Sequence, residues 1–238
     1  MTKTKLDIIK VNIVAIILTL ICLSCAVDKI DPEPKNQNFE NAKPLNKKNL
    51  ETKDSKLETT AKNLENQKKQ EYTKIAEIDA QGINFLATFK ADVNDMLSQY
   101  EEMQIKRTIY SSLNYDTQKI NTLKVILKTL YDQPQHRDTS KHFIYQIAAS
   151  IQHNIDRTLC LIKETIIKDN LQTQNQKESE LLMNLDSNLK TRQNFAKKLN
   201  ETIKAYNKNL YNIKNNIEEL AWHIDANYKT LDSFKSIN

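Results

Sequence analysis

Between Leu45 and Asn238, a stretch of 194 residues, the chain has one glycine (Gly82) and one proline (Pro134). Tight hairpins and phosphate-cradling loops need glycine for positive φ or close backbone approach, and both residues punctuate helices. A sequence this poor in them has little to build strand-and-turn architecture from. The expected fold is all-α: a helical bundle of about five helices with a long C-terminal helix, preceded by a disordered tether.

The first 56 residues are different in kind. Lys3, Lys5 and Lys10 form a basic start, followed by a mostly apolar run from Val11 to Leu23. Thirteen residues are too few to cross a bilayer core of about 30 Å, so residues 1–24 read as a signal peptide rather than a membrane helix. Ser24 followed by Cys25 offers a lipoprotein processing site, with cleavage before Cys25 and a diacylglycerol on its sulfur. The segment 25–56 holds Pro32, Pro34 and Pro44 among Lys, Asn, Asp and Glu. It cannot bury enough surface to offset its ordering entropy, so it is expected to be a disordered tether with a reach on the order of 30 Å. Residues 57–238 are expected to form a single α-helical domain.

Within that domain the apolar residues recur at helical spacing. Ile75, Ile78, Gly82, Phe85 and Phe89 form one face, with Gly82 marking either a close approach or a local break. A second helix is expected over about 93–113, with Val93, Met96, Tyr100, Met103 and Tyr110 on one side. A third, capped by Asn114 or Asp116, carries Ile120, Leu123, Leu127 and Leu130 and stops at Asp132-Gln-Pro134. A fourth, capped by Thr139 or Ser140, carries Ile144, Ile147, Ile151, Ile155, Leu159, Ile162 and Ile166. From Leu182 to Phe234, steps of three and four then meet an apolar or aromatic residue everywhere except Arg192 and Asn227. That seam predicts a helix of about 55 residues, near 80 Å long at 1.5 Å per residue. A helix of that length would outrun the bundle with an apolar stripe on its end. Either a bend folds the end back or a second protomer covers it; the expectation favours a homodimer.

Catalytic chemistry is not indicated. The four histidines (His136, His142, His153, His223) show no metal-ligand spacing, and no glycine-flanked serine or phosphate loop is present. No catalytic residue, metal or cofactor is therefore expected. After residue 24, 32 Lys and Arg face 29 acids, a net +3 without the basic clustering of a nucleic-acid binder. With Cys25 lipidated, Cys160 is the remaining thiol, expected as a small core residue, and no disulfide framework is available. A binding protein is what remains.

The lead segment IIKVNIVAIILTLICLSCAVDKIDP, the stretch IKRTIYSSLNYD (105–116) and LNETIKAYN (199–207) resemble the Borrelia complement-regulator-acquiring outer-surface lipoproteins. The resemblance runs over nearly the whole chain. It implies a lipid-anchored helical protein on the surface of a spirochaete's outer membrane that captures host complement proteins, foremost factor H and its shorter splice product. Related members of the family look like inhibitors of terminal complement assembly that bind late components. An adhesin or plasminogen-binding role is the alternative from another class. In factor-H-binding members the C-terminal helix serves dimerisation and ligand capture. In the matching segment HIDANYKTLDSFKSIN (223–238), Tyr228 and Asp232 stand where the family has those residue types, while Phe234 replaces a leucine and Thr230 an aspartate. Combining seam and resemblance, the candidate ligand or dimer residues are Leu220, Ile224, Tyr228, Leu231, Asp232 and Phe234.

Overall fold

The computed structural model describes residues 56–89, 97–167 and 174–235, with side chains from 177 in the last segment. The expected signal peptide, Cys25 and nearly all of the expected tether (residues 1–55) lie outside the described residues. So do Val93 and Met96. The elements, in order, are α1 (Lys56–Ala80), a 3-10 turn (Leu86–Phe89), α2 (Gln99–Ser112) and α3 (Thr117–Tyr131). They are followed by α4 (Arg137–Lys141), a π segment (His142–Ala148), α5 (Ala149–Ile167) and α6 (Gln174–Asn207). The chain closes with a 3-10 turn (Leu210–Asn212), α7 (Ile217–Tyr228) and a last 3-10 turn (Leu231–Phe234). No strand occurs among the described residues, and the protein is all-α, as its composition predicts.

Local chemistry sets most of the helix ends. At α2, Ser98 Oγ accepts from the Glu101 N–H while the Glu101 carboxylate accepts from the Ser98 N–H at 2.8 Å, a reciprocal capping box. This start lies later than the expected 93, and it turns Tyr100 outward, 43 % exposed. Asp116 caps α3 by accepting from the Gln118 and Lys119 N–H groups. Gly82, at φ +80°, ends α1 as a local break; a Cβ there would meet nothing within 4 Å, so it marks no close approach. Thr139 and Ser140 do not cap the fourth helix. It starts at Arg137, and Ser140 is buried with its hydroxyl donating to the Leu127 carbonyl at 3.0 Å. Cys160 is exposed rather than in the core, because Leu159 and Ile162 take the buried phase of α5.

The centre of the bundle is α2, buried without interruption from Gln104 to Tyr110 and packed against α1, α5 and α6. The core comes in two apolar clusters. The larger holds residues of α1, α2, α3, the π segment, α5, α6 and α7, including Ile105, Ile109, Ile120, Leu127, Phe143, Phe195 and Leu199. The smaller joins only α1, α5 and α6, through Leu57, Ala61, Ile155, Leu159, Ile162, Leu181 and Leu185. Along each of those three helices, the residues between the clusters are polar and bonded to one another. Arg107 donates from Nε to Glu71 (2.7 Å) and from Nη1 to both oxygens of Asp156 (2.8 and 2.9 Å). Arg192 donates to Glu71 and to Gln152, each at 3.1 Å, and Gln152 donates to Asp156 at 3.0 Å. Arg192, an exception on the apolar seam, is thus the residue that ties α6 into this layer.

The long C-terminal helix is not continuous. α6 ends at Asn207, and the chain reverses through residues 208–216 before α7 begins. The stretch 207–216 contains no glycine or proline but five asparagines. Asparagine tolerates the left-handed region and competes with helix by bonding nearby backbone. Asn209 (φ 49°) and Asn212 (φ 60°) take left-handed conformations, with Tyr211 (φ 58°) between them. Asn209 Oδ1 accepts from the Lys214 N–H at 2.8 Å, and Asn216 Oδ1 accepts from the Glu218 and Glu219 N–H groups to start α7. α7 therefore folds back onto α3, α4 and the π segment, and the last 3-10 turn lies on α6. The apolar stripe is covered by the chain's own helices, which removes the physical reason for expecting a second protomer.

Two outcomes test this architecture. Phe234→Ala is expected to cost about 3–5 kcal/mol in urea unfolding, because the ring is 1 % exposed; on a protruding helix end it would be close to neutral. Arg107→Met, which strips Asp156 of its cation and leaves Glu71 with Arg192, is expected to cost about 3–5 kcal/mol in the same measurement.

Candidate functional site

Of the six candidate residues, four are core. Leu220, Ile224, Tyr228 and Phe234 are each 1 % exposed. Tyr228 and Phe234 join Phe143 and Phe195 in a ring cluster with centroids 4.9 to 5.9 Å apart, mostly edge-on. The Tyr228 hydroxyl lies 2.8 Å from Thr202 Oγ1, and burial pushes its phenol well above the ordinary range. Asn194 donates to the Phe234 carbonyl at 2.7 Å, fixing the last turn to α6. These side chains hold the fold-back in place; they do not form an exposed face.

Leu231 and Asp232 remain accessible, and they share a cleft. The last 3-10 turn meets α5 and α6 there, around a volume of about 500 Å³. Carboxamides (Asn154, Asn184, Asn188) and hydroxyls (Thr158, Ser187, Thr191) line it, with Leu161 as an exposed apolar wall. Asn188 donates to Thr158 Oγ1 at 3.0 Å, and Asp232 pairs with Lys235 at 2.7 Å. Arg157, exposed on the same wall, has no ion-pair partner among the described residues. Such a cleft can hold a polar chain through hydrogen bonds. It contains one carboxylate and no histidine, so it offers no acid–base pair.

A second surface escaped the sequence reading. Trp222, the one tryptophan of the chain, points outward from α7 with 69 % of its surface exposed. It lies two residues off the seam that carries Leu220 and Ile224, which was the available signal. The preceding 3-10 turn, packed against α7, exposes Leu210 and Tyr211, the latter by 77 %. Among the described residues, no three His, Cys, Asp or Glu side chains gather as a metal site would need. Three of the four histidines bond to other groups instead: His136 to Glu218 (3.0 Å), His142 to the Lys229 carbonyl (2.9 Å) and His223 to Thr202 (3.1 Å). No described helix is long and apolar enough to cross a membrane.

A family model of Borrelia Bbcrasp-1 domain containing proteins matches residues 65–238, the greater part of the chain and nearly all of its helical head. The chain belongs to this family. Its sequence is 76 % identical to the crystal structure of the membrane attack complex assembly inhibitor BGA71 from the Lyme disease agent Borreliella bavariensis. The match covers 77 % of this chain and 99 % of that one, with a TM-score of 0.73. A second crystal structure of the same inhibitor gives 78 % identity over 76 % of this chain and all of that one. Borrelia spielmanii BSA64, an orthologue of B. burgdorferi BBA64, is 18 % identical over 73 % of the chain with a TM-score of 0.52, and shares the fold. Among curated protein sequences, no match is found. The resemblance drawn from the three sequence stretches is thus the family to which this Bbcrasp-1 domain protein belongs.

The fold-back also carries a pH dependence. His223 is half-buried, and burial holds its imidazole below the ordinary 6.5. As pH falls, the unfolded chain takes up this proton before the folded one, so the stability present above about pH 6.5 declines below it. The melting temperature is expected to drop as the pH falls through this region, with a smaller drop in His223→Gln.

Proposed function

We propose that this protein inhibits assembly of the membrane attack complex by binding its late components at the spirochaete's outer surface, held there by a lipid on Cys25. The observation that carries the reading is the 76 % identity to an inhibitor of that assembly, across 99 % of the inhibitor's chain. At that identity the exposed surfaces of two heads with one fold are largely the same, and binding is a property of surfaces. The helical head supports the reading physically. Nothing in the clefts and faces described above points to bond-making chemistry, while a bundle pinned by a buried charge layer presents a preorganised surface. A tether from Cys25 would hold that surface within a few tens of Å of the membrane where the complex inserts, raising its effective concentration there.

Factor H capture, foremost in the expectation from family resemblance, has less support than terminal inhibition. Tyr228 and Phe234 belong to the segment that the resemblance linked to that capture, and both are buried. The close relative is described by a different activity.

The test uses erythrocytes carrying preformed C5b-6, to which the remaining late components are added with the mature chain. The expected result is a dose-dependent fall in lysis, together with no factor H retained from serum by the immobilised protein. Undiminished lysis with factor H in the eluate would overturn the proposal.

A further inference from the structure

Trp222 stands in a setting that a merely solvated helix face does not explain. Its neighbours on the outward side of α7 are Glu218 (i−4), Glu219 (i−3), Asp225 (i+3) and Ala226 (i+4), so three carboxylates surround the indole within one turn in each direction. α7 contains no lysine or arginine, although the chain as a whole carries +5. Lys229, two turns along, bounds the acidic patch. Two of the acids have a local partner: Glu218 meets His136 at 3.0 Å and Asp225 accepts from Thr139 at 3.2 Å. Both bonds hold α7 to α4 while leaving the carboxylates accessible, with Glu218 70 % exposed. The Glu219 carboxylate has no partner among the described residues, nor does the Trp222 N–H or ring. Ala226 leaves one side of the indole uncovered.

We propose that the outward face of α7 is a docking surface for a lysine- or arginine-bearing segment of a partner protein, with Trp222 as its anchor. Tryptophan gives the strongest cation–π platform and is the side chain most enriched among interface anchors. A cationic side chain laid over the indole brings its charge among the three acids, so the platform and the charge favour one class of occupant. The adjoining turn extends the patch. Tyr211 is held at φ +58° with its ring in solvent, a costly conformation for a bulky residue that recurs at functional sites. The inference rests on the proposed function in taking the partner to be a late complement component.

The experiment measures binding by surface plasmon resonance, a readout that survives replacement of Trp222, the one tryptophan of the chain. Each purified late component is passed over the immobilised full mature protein. A component that binds is expected to give a saturable signal on the wild-type protein. Trp222→Ala, which truncates an exposed side chain, is expected to weaken that binding at least about tenfold with an unchanged melting temperature. The triple variant Glu218→Gln, Glu219→Gln, Asp225→Asn is expected to slow association and flatten its salt dependence. If the wild-type protein blocks lysis and Trp222→Ala blocks it equally well, the surface is overturned while the proposed function stands. If the wild-type protein binds no component, the proposed function falls, and titration with a deca-arginine peptide decides the surface alone. A change in Trp222 emission, to which the peptide itself adds no tryptophan, supports the surface if it is lost in the triple variant, and no change overturns it. Concentration-dependent self-association in sedimentation, lost in Trp222→Ala, overturns it in favour of a second copy of the chain.

Discussion

The guanidinium of Arg107 is the point on which the bundle depends. It lies on the most buried helix and binds carboxylates from α1 and α5 at the same time, and Arg192 joins α6 to the same Glu71. Apolar contacts between helices tolerate small slides and rotations; a charged group in the interior does not, because a lost partner leaves an unsatisfied ion. The layer therefore sets the relative register of four helices, α1, α2, α5 and α6, with an apolar cluster on either side of it. Its four charges comprise two acids and two bases, and Gln152 and Gln67 complete the hydrogen bonding.

The second determinant is the fold-back of the C-terminal segment. Five asparagines reverse the chain after α6, and an aromatic cluster with a Tyr228–Thr202 bond holds the returning segment. This arrangement exchanges which side chains are offered to solvent. The seam residues go inward, and the off-seam Trp222, with its acidic neighbours, goes outward. It also creates the polar cleft between the last turn, α5 and α6, which exists only because residue 231 has been brought back to residues 157 and 184.

Much of the fold was legible in the chain. α3 is a clear instance: Asp116 at its cap, Ile120, Leu123, Leu127 and Leu130 at zero exposure, and a stop just before Pro134. Periodicity works there because the helix has one buried face and strong signals at both ends. α2 was less legible, since a helix buried on every side has no single stripe to read. Cys160 was misplaced by its apolar neighbours, one position out of phase with Leu159. The π segment left no mark, because a widened turn changes hydrogen bonding without changing residue types. The break after Asn207 is the bend that the seam leaves open beside the favoured second protomer; its place is hard to read because asparagine, not glycine or proline, breaks the helix, through its side-chain bonds and its tolerance of positive φ. For the candidate site, the seam correctly marked buried residues and so pointed away from the surface.

By itself the sequence determined that the head is helical, where most helices lie, which residues face inward, and which family the chain resembles. These depend on local spacing and residue type, which a one-dimensional pattern records. Only the tertiary structure decided what the inward faces meet. A seam of alternating threes and fours is the same whether the helix runs on into a partner or turns back on itself, since both geometries bury the same residues. The choice depends on contacts between residues far apart in the chain, such as Phe143 with Tyr228 and Asn194 with Phe234. That choice sends Trp222 and its three acids outward and makes them a surface.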